Sequence, residues 1–144
     1  MEKKLLGVLI LIFLTIGLFT TYAFSADVPM MTKEELKAML GNPDLVIFDV
    51  RLGSDYFSSD LKIKGAVRPD MGTYFTMTSL SKTVFTYPKG KTFVFYCASP
   101  DEEISVYNVK YLIERYPTEG YTKAYVLKGG WEEWFKANYP TEKK

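Results

Sequence analysis

The chain has no histidine and a single cysteine, Cys97, in 144 residues. Each scarcity excludes a class of chemistry. Structural zinc sites are built from several cysteines and histidines, so this chain cannot supply one. A Ser/His or Cys/His catalytic pair cannot form within it. One cysteine cannot close an internal disulfide, so Cys97 is either a buried small hydrophobe or a thiol kept for chemistry. Strong charge of one sign is missing as well. With 18 Lys+Arg against 17 Asp+Glu the formal net charge is +1, and no global field recruits nucleic acid or an acidic partner. No internal repeat and no low-complexity segment occurs.

What is present is a core-forming composition. Apolar residues make up 47% of the chain, and the length fits one domain. Long apolar runs are absent except at the start. Lys3 and Lys4 precede an almost wholly apolar Leu5 to Phe19, and Ala23-Phe24-Ser25 offers small residues at the spacing of a signal-peptidase site. Residues 1–25 read as a secretory signal peptide cleaved after Ser25, which places the mature protein in the periplasm or outside the cell. The alternative is an uncleaved anchor, although the run is short for a full membrane span. Removing residues 1–25 leaves a neutral chain.

Taken in order, residues 26–31 form a lead-in. Thr32 and Glu35 make a capping box for a helix over 32–40, striped by Leu36, Met39 and Leu40 and closed by Gly41. Leu45 to Val50 is a continuous apolar run broken only by Asp49, the pattern of a parallel strand buried on both faces. A helical turn is expected near 54–57, a turn and short strand over 63–67, and a helix near 73–82. Phe93 to Tyr96 is a second fully apolar run, hence a strand over 92–96 ending at Cys97. A helix then runs to about Arg115, with Ile104, Tyr107, Tyr111 and Leu112 on its apolar face. A strand over 123–127, the Gly129-Gly130 turn and a helix over 131–138 follow. That last helix carries Trp131, Trp134 and Phe135 on one side. Residues 141–144 read as a tail. Alternating strands and helices predict an α/β domain with a mostly parallel sheet of about five strands and helices on both faces. Ligands of such sheets bind at the carboxyl ends of the strands, where Asp49 and Cys97 both fall.

Residues 97–105 admit two readings. In one, Ser99 is an N-cap, Pro100 the first helical residue and Glu102 the reciprocal capping acid. In the other, residues 98–103 form a cradle and the helix begins near Glu103 or Ile104. Both bring backbone N–H groups to the sulfur, which favours a thiolate. The carboxylates of Asp101, Glu102 and Glu103 oppose it.

Three pieces in this order resemble the rhodanese-like domain. They are Phe48-Asp49-Val50-Arg51 with Tyr56 and Ile63-Lys64-Gly65-Ala66, then Val94-Phe95-Tyr96-Cys97, then Val126 to Trp134. The resemblance spans residues 32–140. It implies a sulfurtransferase in which Cys97 takes a sulfane sulfur from a small donor (thiosulfate, a polysulfide or a persulfide) and passes it to a thiol or cyanide. It implies Ala98, Ser99, Pro100, Asp101, Glu102 and Glu103 as the substrate-binding loop, Asp49 and Arg51 as structural support, and no metal or cofactor. The loop departs from the family in being acidic and free of glycine. The sixth residue after Cys97 is Glu103 rather than the arginine that phosphoryl transfer needs. The expected function is an exported single-domain sulfurtransferase. The second expectation is a catalytically weak sulfur carrier or protein-binding module with a periplasmic protein partner.

Overall fold

Phe93, Val94, Phe95 and Tyr96 have no room for water on either side, and each is fully buried. They form β4 (Thr92–Tyr96) at the centre of the sheet in a computed structural model that describes residues 27–69, 77–98 and 102–144. β2 (Leu45–Asp49) runs parallel to it, with Leu45 opposite Thr92 and Asp49 opposite Tyr96. β5 (Ala124–Leu127) pairs on the other side, with Phe93 opposite Ala124. β1 (Met30–Met31), inside the lead-in, adds the outer strand beside β5. The order is β1-β5-β4-β2, all parallel.

The fifth strand anticipated from the sequence is a single bridge. Val67 pairs with Phe48, donating to the Ile47 carbonyl at 2.8 Å and accepting from Asp49 N–H at 2.9 Å. Pro69 follows two residues later and has no N–H with which to extend the ladder. The tail expected at 141–144 is also structured. β6 (Thr141–Lys143) pairs antiparallel with β3 (Leu61–Ile63) as a separate ribbon.

Helices cover both faces. α1 (Lys33–Met39) has the expected capping box, with Thr32 Oγ1 accepting from Glu35 N–H at 3.2 Å and Glu35 Oε2 accepting from Thr32 N–H at 2.7 Å. It buries Leu36 in one core layer with Ile47, Ile63, Val94, Tyr96 and Trp134, the last from α5 (Gly130–Lys136). The opposite layer holds Phe48, Phe93, Phe95 and Cys97 under α3 (Met77–Val84) and α4 (Glu103–Arg115). Burying each of the three phenylalanines contributes roughly 1.5–3 kcal/mol. The short α2 (Gly53–Phe57) follows β2. The part of the expected helix near 73–82 that precedes Met77 lies outside the described residues, as do the signal-peptide segment and Ser99, Pro100 and Asp101.

Two helical faces differ from expectation. α4 buries Ser105, Asn108, Val109 and Leu112, while Tyr107 is 59% exposed. At 3.6 residues per turn those four form one narrow strip, with Ile104 and Ile113 on its flanks and Tyr107 opposite. On the exposed side the tyrosine keeps its hydroxyl in water. In α5, Trp134 is fully buried but Phe135 is 52% exposed, stacked outside Trp131 at 5.4 Å.

Candidate active site

The carboxyl ends of β2 and β4 are adjacent, so their last residues build one corner. Asp49 lies opposite Tyr96, and the pairing continues as Val50 N–H donates to the Tyr96 carbonyl at 2.9 Å. Side chains alternate along a strand. Tyr96 therefore faces one layer and Cys97 the other, where Cys97 is 2% exposed beside Phe95 and Val109.

On the Tyr96 side, Asp49 and Arg51 are fully buried and form a bidentate ion pair: Nε to Oδ1 at 2.9 Å, Nη2 to Oδ2 at 2.6 Å. Tyr96 Oη donates to Asp49 Oδ2 at 2.7 Å, and Arg51 Nη2 donates to the Leu61 carbonyl at 3.0 Å. Three rings enclose the guanidinium: Trp131 at 4.4 Å, Tyr56 at 5.4 Å and Tyr96 at 5.6 Å. Burial opposes the Arg51 charge, but the hydrogen bonds and charge of Asp49 outweigh it and hold the pKa above the ordinary guanidinium value. Burial first, then Asp49, pushes the Tyr96 hydroxyl far up, so it stays a donor. Arg68, which the sequence reading passed over, stacks on Tyr56 at 3.7 Å and donates to the Arg51 carbonyl at 3.0 Å.

Cys97 and Glu102 are fastened by the β5–α5 turn and the first turn of α5. Trp131 N–H donates to the Cys97 carbonyl at 2.8 Å, and Gly129 N–H donates to Glu102 Oε1. The helix after the cysteine begins at Glu103, so the reading with Ser99 as N-cap is overturned. Glu102 holds a left-handed backbone, φ 59°, that a helical turn cannot include, and its carboxylate is committed to Gly129 rather than to a capping box. Ala98 is half-buried, Glu102 half-buried and Glu103 exposed. Asp49 and Arg51 meet the Cys97 segment through Trp131, whose ring covers Arg51 while its N–H holds Cys97.

Glycine is required at the turn. Gly129 has φ +77°, and a Cβ there would sit 2.4 Å from Glu133 Cγ. Beside it an open cavity of about 400 Å³, bordered by Glu102, presents Lys33 and Lys128. Sequence reading took Gly129-Gly130-Trp131 as a turn and packing; its role as a clamp on the cysteine segment depends on strands whose paired residues, such as Phe93 and Ala124, are far apart in sequence becoming neighbours. Ser105 and Asn108 were missed too, although two polar residues three apart on an apolar helical stripe were the available signal. Among the described residues no group of three metal-ligating side chains occurs.

The model of the Rhodanese-like domain family matches residues 32–137. Among solved structures, a Bacillus halodurans protein superposes with a TM-score of 0.61 at 20% identity, covering 81% of this chain and 77% of its own. The rhodanese-like domain of an Anabaena protein gives 0.58 at 25% identity, covering 81% and 80%. A thiosulfate sulfurtransferase from Pseudomonas aeruginosa gives 0.61 at 18% identity, covering 81% of this chain but 19% of its own. No curated protein matches the sequence.

Proposed function

The chain belongs to the rhodanese-like domain family, and on that premise we propose that it is an exported sulfurtransferase with Cys97 as its nucleophile. One observation carries the reading. The only cysteine stands at the end of the central strand, with its carbonyl held by the start of α5 and Glu102 held by the β5–α5 turn. A thiol needs such a fixed position to meet a sulfur in line. In the proposed step the Cys97 thiolate attacks the outer sulfur of a persulfide or polysulfide. The S–S bond of the donor breaks, its electron pair leaves with the donor thiolate, and Cys97 keeps one sulfur as a persulfide. Thiosulfate would leave as sulfite in the same way. A thiol or cyanide then attacks the outer sulfur, releasing a persulfide or thiocyanate and regenerating the thiolate. No electrons are gained or lost overall.

The second reading is a sulfur carrier with little turnover, serving a protein partner outside the cytoplasm. Its support is the near-complete burial of Cys97 together with the carboxylate of Glu102 at the segment's outer end. Both features disfavour a bulky dianion and slow exchange with solutes.

Intact mass measurement after exposure to polysulfide tests both. A gain of one sulfur in the wild type, absent in Cys97→Ser, supports either reading, and cyanide turnover then selects the enzyme. Resistance of native Cys97 to both sulfur transfer and alkylation would leave it a packing residue and end both. Export is tested separately, by the N-terminal residue of the protein recovered from its native host. Ala26 at that end supports it, and Met1 on a cytoplasmic protein refutes it.

A further inference from the structure

Ser105 and Asn108 are fully buried on α4, yet Ser105 Oγ and both the Nδ2 and Oδ1 atoms of Asn108 have no hydrogen-bond partner among the described residues. Buried polar groups are nearly always satisfied, because losing water without a replacement is costly. Three unmet atoms on two residues one turn apart therefore mark a place built for something polar. The fold puts that place on the Cys97 side of the sheet. Cys97 points into the layer that α4 covers, and α4 starts six residues after it, so its first turns lie at the carboxyl end of β4. The neighbouring face position, Val109, belongs to the same buried cluster as Cys97.

We propose that Ser105 and Asn108 receive the outer sulfur of the Cys97 persulfide, and that the site is therefore selective for persulfide and polysulfide donors over thiosulfate. This rests on Cys97 carrying sulfur, as proposed above. The chemistry of the pair fits one sulfur atom. A hydroxyl and a carboxamide N–H₂ donate to a monoanionic persulfide, and the carboxamide oxygen accepts from its protonated form. Neither residue carries charge, so nothing in the pair compensates the two charges of the thiosulfate ion. Held there, the outer sulfur is shielded from water between acceptor encounters.

The test loads the full chain and its variants Ser105→Ala and Asn108→Leu with sodium polysulfide. It then follows the loss of the Cys97 sulfur adduct to dithiothreitol by intact mass, beside the melting temperature of each sulfur-free protein. If the pair holds the sulfur, both variants melt at or above the wild-type temperature, because an unmet polar group has gone. Their adducts decay about three- to tenfold faster, the worth of a lost hydrogen bond or two. Wild-type decay rates in both variants, with raised melting temperatures, would show a mere packing defect and overturn the inference while leaving sulfur transfer intact. No adduct on the wild type would overturn the sulfurtransferase reading itself.

Discussion

Asp49 and Arg51, two residues apart at the end of β2, hold each other in a bidentate pair from which water is wholly excluded. The Trp131 ring lies 4.4 Å over that guanidinium while the Trp131 N–H holds the Cys97 carbonyl. A buried ion pair is thereby one contact away from the candidate nucleophile.

Breaking one half of the pair leaves a buried charge uncompensated. Arg51→Met is expected to cost about 3–5 kcal/mol of stability, whereas Asp49→Leu with Arg51→Met costs less than the single change. Urea denaturation of the single and double variants checks this. Equal losses would show that water reaches Asp49 once Arg51 is removed.

Tyr96 gives a pH-dependent signature. Its hydroxyl ionises at 10.0 in an unstructured chain, and burial and Asp49 raise that value in the fold. The hydrogen bond to Asp49 is thus intact below pH 10 and its contribution declines only as pH rises beyond that. Tyr96→Phe is expected to lose about 1–3 kcal/mol near neutrality, where the Ile63 N–H loses its partner and Asp49 Oδ2 is left with Arg51 alone. The gap to wild type should narrow in melting curves taken above pH 10.

Gly129→Ala combines a left-handed backbone with a Cβ 2.4 Å from Glu133 Cγ. The expected cost is about 1–3 kcal/mol. Because the same turn clamps the Cys97 segment, sulfur loading of Cys97 should slow as well. Thermal melts and loading rates, measured together, decide whether the turn's stability and its clamp are linked. An unchanged loading rate would separate them.

Glu102→Gln keeps a side-chain oxygen for the Gly129 N–H but removes a negative charge from the end of the cysteine segment. Loading from thiosulfate should rise about two- to fivefold at low salt, the scale of one partly exposed charge. The gain should vanish near 1 M salt, where screening is short-ranged. Loading from an uncharged organic polysulfide should hardly change. Stopped-flow measurement with both donors at two salt concentrations checks this.

How far the sequence reaches differs from element to element. The capping box at Thr32 and Glu35 was legible because both partners lie within one turn of chain. β2 and β4 were legible because uninterrupted apolar runs have no other stable place than a two-sided core. The start of α4 was not. Ser99-Pro100 carries strong local helix-start chemistry, but the Glu102 carboxylate finds the Gly129 N–H in the turn after β5, a strand that only the sheet brings near. The rotation of α4 was hidden for a similar reason. Its apolar arc is wide, and packing against β4 and β5 chose the strip containing Ser105 and Asn108.

By itself the chain's order of residues determined the alternation of strands and helices, the lone thiol at the end of a central strand, and the exclusion of histidine and zinc chemistry. These follow from periodicity and composition, which are local. Only the tertiary structure decided what surrounds that thiol. The Arg51 cage and the clamp by Gly129 and Trp131 join residues far apart in sequence, and the unmatched polar pair on α4 is turned inward by the packing of that helix on the sheet. Such contacts arise from how layers pack, and no local pattern encodes the partner a side chain meets across a core.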